Sequence, residues 1–221
     1  MSVWQREELA SGVPAGVFAE AMARLVSGVA VICARRGDGS PCGLLVSSFS
    51  SYSVAPPSVM LALARGSRTY EAMGARVGIP FGAHLLGSAD EALAKVFAGR
   101  SQDKFADLAW DWDDGTPRLA GVPVYLKCRV AAVFPHGDHV VLVGEVAGCA
   151  VATDADPLVY YRRRLDWHLG PGRGPGPDPG PAGIAGTARG PGTARGRGGS
   201  EPGRLEEPGA ATSAVHGSGR V

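Results

Sequence analysis

The residues able to do chemistry fall into four short clusters. Ser47-Ser48-Phe49-Ser50-Ser51 follows Gly43-Leu44-Leu45-Val46 and puts hydroxyls where a predicted strand loosens. Each hydroxyl can donate or accept, and adjacent backbone N–H groups can join it, so the segment suits a phosphate or the polar edge of a ring. A serine-rich edge strand with a turn is the plain alternative. Ser67-Arg68-Thr69 opens a predicted helix. Free N–H groups, two hydroxyls and a guanidinium there form an anion site; ordinary capping by Ser67 beside a solvated Arg68 explains the same residues. Phe97-Ala98-Gly99 and then Asp103-Lys104-Phe105 set a helix end beside a lysine that an acid can hold. A glycine cap and a surface salt bridge are the commoner reading of that pattern. His136-Gly137-Asp138-His139 is a hairpin tip. Turn formation accounts for Gly137 and Asp138, and His139, at the mouth of a strand, can donate to a ligand amide or phosphate.

Other chemistries lack their residues. There is no GxSxG elbow, no HExxH and no Walker loop. The four cysteines, Cys33, Cys42, Cys128 and Cys149, form no CxxC pair, and no histidine stands at ligand spacing from them, so no metal site is expected. They read as free buried thiols, although Cys33 and Cys42 can face each other across a hairpin.

The elements that must position these clusters are mostly strands. Phe18, Met22, Leu25 and Val26 recur at helical spacing and predict a helix over Ala15 to Val26. Gly28 to Ala34 and Gly43 to Phe49 flank the turn Arg36 to Ser40 and predict a hairpin. Ser58 to Ala64 is apolar on both faces and predicts an interior strand. A helix over Arg68 to Arg76, a strand over Ile79 to Leu86 and a helix over Ala89 to Phe97 follow. Ser88 and Glu91 stand as a near capping box for that last helix. Gln102 to Trp112 reads as irregular or partly helical. Val124 to Phe134 and His139 to Ala150 predict a long hairpin with Tyr125, Lys127 and Arg129 outward and Leu126, Cys128 and Val130 inward. Pro157 to Leu165, a short strand or extended segment, closes the set. Six or seven strands joined mostly as hairpins exclude a doubly wound parallel sheet and favour a small antiparallel barrel with peripheral helices.

Composition divides the chain. Of 221 residues, 33 are Gly and 17 Pro, but 15 of those glycines and 8 prolines lie in the 51 residues from Pro171 onward. That segment lacks Phe, Tyr, Trp and Lys, and is expected to have no fold. The expected organisation is an extension over 1–14, one domain over 15–169 and an unfolded tail over 170–221. The tail carries six arginines against four acids, leaving 16 bases and 17 acids in the rest. A near-neutral body gives no electrostatic case for DNA or a membrane surface. The uncharged run Gly39 to Ala64 holds seven Ser and Pro56-Pro57, which excludes a membrane span. The N-terminus has no apolar h-region, so a cytoplasmic location is expected.

The order of the clusters is more specific than any one of them. Ser27-Gly28-Val29-Ala30-Val31, Gly43 to Ser53, Pro56-Pro57, Ser67-Arg68-Thr69, Phe97-Ala98-Gly99, Asp103-Lys104-Phe105, Gly137-Asp138-His139 with Gly144, and Pro157-Leu158-Val159-Tyr160 resemble the flavin reductase family. The resemblance covers about residues 15 to 168. It implies an antiparallel FMN-binding split β-barrel and a homodimer. It also implies an NAD(P)H:flavin oxidoreductase that uses NADH or NADPH to reduce FMN or FAD for a partner monooxygenase. A flavoprotein of the same fold that keeps its flavin, as electron carrier or oxidase-like enzyme, is the alternative. Carried over, Leu45, Val46, Ser47 and Ser48 would hold the flavin ring and ribityl chain. Ser67, Arg68 and Thr69, helped by Lys104, would meet the phosphate. His139 would lie near the nicotinamide as the catalytic candidate, and Arg162 would meet the pyridine nucleotide. Leu45 stands where family members often have Thr, Ala55 where Asp is common, His84 where Asn is frequent and Arg163 where Gly often stands.

Overall fold

Short apolar runs separated by Gly, Pro and Asp fold here as hairpins, and the hairpins join edge to edge. The computed structural model describes residues 12–73, 76–152, 155–167 and 169. The expected unfolded tail over 170–221 and most of the extension over 1–14 lie outside the described residues. In chain order the elements are α1 (Ala15–Met22), β1 (Ser27–Gly28), β2 (Ala30–Arg35), β3 (Pro41–Val46), β4 (Ser50–Val54) and β5 (Pro57–Ala64). Next come α2 (Arg68–Met73), β6 (Pro80–Leu85), a 3-10 turn (Ser88–Asp90), α3 (Glu91–Ala98), β7 (Trp110–Asp113) and β8 (Thr116–Leu119). The last are β9 (Val124–His136), β10 (His139–Val151), β11 (Val159–Tyr161) and β12 (Arg164–Trp167).

Seven strands form one antiparallel sheet in the order β3-β2-β6-β9-β10-β5-β4. Its inner face holds Ile32, Val46, Leu61, Leu63, Phe81, Val130 and Leu142, all buried. The two ends of the sheet approach without a backbone ladder. Just beyond β3, Ser48 Oγ reaches β5, donating to the Ala62 carbonyl and accepting from the Ala62 N–H, both at 3.0 Å. The architecture is thus a split barrel, as expected. A second core lies outside it, where Val31 and Cys33 of β2 meet Phe97 of α3, Phe105, Leu119 and Leu158. This explains why β2 is buried on both faces. Strand β5, expected to be covered on both sides, instead alternates: Val59, Leu61 and Leu63 are buried while Met60, Ala62 and Ala64 are half-buried.

Several local expectations change. The Gln102 to Trp112 stretch yields β7, paired with β8 through Asp114-Gly115. That hairpin lies over the outer face of β9, so Tyr125 is buried although it points outward with Lys127. Ser88 does not cap α3. Ser88 N–H is bound to the Asp156 carbonyl at 2.7 Å, with Gly87 extended before it, and Asp90 takes the Gly87 N–H at 2.8 Å, which closes Ser88–Asp90 as a 3-10 turn. The helix therefore begins at Glu91. Strands β11 and β12 form a small sheet with β1, where one final strand was expected. In the β2–β3 register Cys33 faces Gly43 and Cys42 faces Ala34, so the two sulfurs lie on opposite faces. Cys33, Cys42 and Cys128 are free and buried, but Cys149 is exposed.

Two glycines are set by close approach. A Cβ on Gly43 would lie 2.7 Å from the Phe97 ring, so glycine lets α3 pack on β3. A Cβ on Gly144 would lie 2.5 Å from Cζ of Phe81, whose ring is fully buried and has no room to retreat.

Candidate functional site

Strand β3 is the last strand of its sheet, so one side of its backbone has no strand partner. Such an edge presents free N–H and C=O groups. Two grooves border it in succession, one beside Gly43 and Leu44 at its middle and the other beside Leu45, Val46 and Ser47 where it ends.

The first groove is cationic. Ser67, Arg68, Arg100, Gln102 and Lys104 line it, and no carboxylate does. Ser67 caps α2, its Oγ accepting the Tyr70 N–H at 3.2 Å. Arg68 is held by the loop after α3: its guanidinium donates to the carbonyls of Arg100, Ser101 and Gln102 and to Gln102 Oε1 at 2.6 Å. Lys104 donates to the Phe97 carbonyl at 2.7 Å, at the negative end of α3, and to the Gly43 carbonyl at 3.4 Å. The expected acid partner of Lys104 is absent among the described residues. Asp103 instead accepts the N–H groups of Phe105 and Ala106. Burial and then the positive charge of Arg68 press the Lys104 ammonium below its ordinary range, with the Cys33 and Cys42 thiols pulling the other way. Two cations without a carboxylate between them are what an anion such as phosphate would relieve.

The second groove is floored by Leu45, Val46 and Ser47 and walled by Lys95 of α3 and by Tyr160, Arg163 and Arg164. Its floor is apolar at Leu45 and Val46 and polar at Ser47, a surface that suits a flat ring with a polar edge.

Other expected residues are placed differently. Ser48 spends its hydroxyl on Ala62, as above. Thr69 is buried on the inner side of α2. Arg162 does not line the second groove; its guanidinium lies 5.3 Å from the Tyr161 ring centroid. His139 pairs with Ala64 of β5, two residues beyond the Ala62 that holds Ser48. Crossing two strand spacings puts the His139 backbone on the order of 10 Å from Ser48. Its Nδ1 lies 2.8 Å from Asp138 Oδ1, leaving Nε2 for a ligand or water. That bond holds the Asp138 carboxyl below its usual range.

Sequence reasoning missed Arg100, Gln102, Lys95, Arg163 and Arg164 as groove residues. Gln102 stood two residues from Lys104, but nothing local tied it to Arg68, 34 positions away.

The donor set fits a phosphorylated flavin: cations without acids at one end, and an unpaired strand edge with an apolar floor at the other. Among the described residues no group of three or more His, Cys, Asp or Glu is arranged for a metal ion, and no helix is long and apolar enough to cross a membrane. Comparison with known proteins agrees with the flavin reading. The reductase component of 4-hydroxyphenylacetate 3-monooxygenase from Thermus thermophilus is 36% identical over 156 residues, covering 68% of this chain and 96% of that protein. The NADH:FMN oxidoreductase of Rhodococcus qingshengii is 35% identical over 161 residues, covering 70% and 82%. Among solved structures, the styrene monooxygenase flavin reductase of Pseudomonas putida S12 superposes with a TM-score of 0.60 and 29% identity, over 66% of this chain and 94% of that one. Residues 22–168 match the flavin reductase like domain, and the chain belongs to that family.

Proposed function

We propose that this protein uses NADH or NADPH to reduce FMN or FAD and releases the reduced flavin to a separate monooxygenase. The cationic end of the β3 groove, where Arg68 and Lys104 meet without a carboxylate, carries the reading. A bound flavin supplies the hydride-accepting chemistry there. The protein's part is binding and orientation. Ser67, Arg68 and Lys104, with the backbone at Thr69, hold the phosphate. Leu45, Val46 and Ser47 seat the ring, and Ser48 holds their strand against β5. His139, oriented through Nδ1 by Asp138, offers Nε2 to the carboxamide of the nicotinamide. No residue is asked to act as a strong acid or base.

The unit that does this is the domain over 15–169, with the tail outside it. We assign it as a homodimer. Helix α1 buries none of its residues, and Val17, Phe18 and Met22 stand exposed together with Leu25 and Val26; a second copy would cover that face. The pyridine nucleotide and the three buried free thiols fit the cytoplasm.

Purified protein assayed for NADH and NADPH oxidation tests the function. The rate is expected to rise and saturate as free FMN or FAD is added. A rate indifferent to added flavin, in protein that retains a yellow cofactor, would show the flavin-keeping alternative instead. Within the same assay, His139→Ala is expected to raise the nicotinamide KM by about tenfold, the worth of one hydrogen bond. Its flavin Kd should change less than twofold. An unchanged nicotinamide KM removes His139 from the site.

A further inference from the structure

The turn between β11 and β12 consists of two arginines in the left-handed region, Arg162 at φ +51° and Arg163 at φ +61°. Tyr161 pairs with Arg164 across it. Two-residue turns of this kind favour Asn, Asp or Gly, because a Cβ is strained there. This chain tolerates two arginines instead, and their side chains part. Arg162 lies over Tyr161, while Arg163 lines the groove beside Leu45, Val46 and Ser47.

The groove's cations are unequally matched. Lys95 is bound by Glu91 at 2.6 Å, and Arg164 is bound by Asp166. The ion contact of Arg163 is Glu20 at 3.6 Å, a loose pair in which both side chains are 57% exposed. Exposed pairs at such distances hold a side chain weakly. Arg163 is therefore the groove cation most available to a ligand.

Position along β3 identifies which ligand. The Arg68–Lys104 end at Gly43 takes the flavin phosphate, so anything extending a flavin beyond its phosphate leaves from that end. Arg163 stands at the opposite end, past the ring floor. We propose that Arg163 is a specificity-determining residue that binds phosphate of the reduced pyridine dinucleotide. This rests on the flavin reductase reading above. The shared chemistry is a phosphate oxyanion, taken from either the diphosphate bridge or the 2′-phosphate of NADPH. Arginine binds either through its two-pronged N–H face.

Arg163→Gly removes the guanidinium and places at φ +61° the residue that adopts it without strain. The variant should melt no lower than the parent, so misfolding does not explain a loss. The KM for the pyridine nucleotide is expected to rise about tenfold, with the Kd for FMN unchanged. A rise shared by NADH and NADPH assigns the diphosphate; a rise larger for NADPH assigns the 2′-phosphate. Arg163→Lys, keeping the charge, should recover part of the loss. Calorimetric titration with ADP and with 2′,5′-ADP gives a readout that needs no turnover: binding to the parent and about tenfold weaker binding to Arg163→Gly is expected. If the parent reduces no flavin but binds these nucleotides through Arg163, the enzymatic reading fails while this subsite stands. Unchanged KM values and unchanged nucleotide binding in Arg163→Gly overturn it. So does a loss confined to FMN.

Discussion

Replacing Arg68 with alanine is expected to raise the Kd for FMN by about 10- to 100-fold while leaving that for riboflavin within about twofold. The size follows from the roughly 1.5–3 kcal/mol of a hydrogen bond to a charged group, at about 1.4 kcal/mol per tenfold. The contrast between ligands follows from geometry. Arg68 sits with Lys104 at the end of the β3 groove that has no carboxylate, so its charge acts on a phosphate and not on a ring at Leu45 to Ser47. Riboflavin, which lacks the phosphate, also separates two roles of the guanidinium. Arg68 binds the carbonyls of Arg100, Ser101 and Gln102 as well, and loosening that loop would weaken both ligands alike. Flavin fluorescence quenching measures both constants. An equal loss for FMN and riboflavin would show that Arg68 only braces the loop.

The second large effect is on stability in acid. His84 is fully buried on β6. Its Nε2 accepts the Leu119 N–H at 3.0 Å, so the proton sits on Nδ1, which donates to the Val31 carbonyl at 3.2 Å. One neutral imidazole thus ties β2, β6 and the end of β8 together. Burial, with a smaller push from Arg118, lowers its pKa from 6.5 to about 4, against the Val31 bond. Between those values the unfolded chain holds the proton and the folded one does not. Stability is therefore whole above pH 6.5, falls as pH drops through the window, and levels off below about 4. At 1.36 kcal/mol per unit this amounts to about 3 kcal/mol. His84→Asn cannot titrate there. Urea unfolding from pH 7 to pH 4 should show a loss for the parent about 3 kcal/mol larger than for the variant. Parallel curves would mean that His84 contributes nothing to acid lability.

Much of the fold was legible because its signals are local. The β9–β10 hairpin announced itself through alternation and through Gly137-Asp138 at its tip, and its observed bounds differ from the expected ones by at most two residues. The β7–β8 hairpin was legible too but went unread. Asp114-Gly115 is a strong two-residue turn signal, and both residues take positive φ, +50° and +79°. Its strands are only four residues long, and β8 carries a proline, so they are too short for periodicity to stand out. The Arg162-Arg163 turn carries no such signal. Its conformation is imposed from outside, by β-pairing and by the bond from Arg162 N–H to the Ala23 carbonyl.

The same division runs through the candidate site. The types of residue and their order in the chain determined that an anion and a ring could be held near Ser47 and Arg68, because hydroxyls, guanidinium and strand edges carry their chemistry wherever they stand. The glycines belonged to that pattern, but their reason did not: Gly43 and Gly144 are needed because Phe97 and Phe81 arrive against them from elsewhere in the chain. Only the tertiary structure decided where each polar group is spent. Ser48 bonds to Ala62, and Lys104 to a carbonyl 61 residues away rather than to neighbouring Asp103. Of two adjacent arginines it turned one onto Tyr161 and the other into the groove. A side chain's partners are set by whatever packing brings within about 3 Å, and that is a property of the folded barrel's contacts, not of the neighbours in sequence.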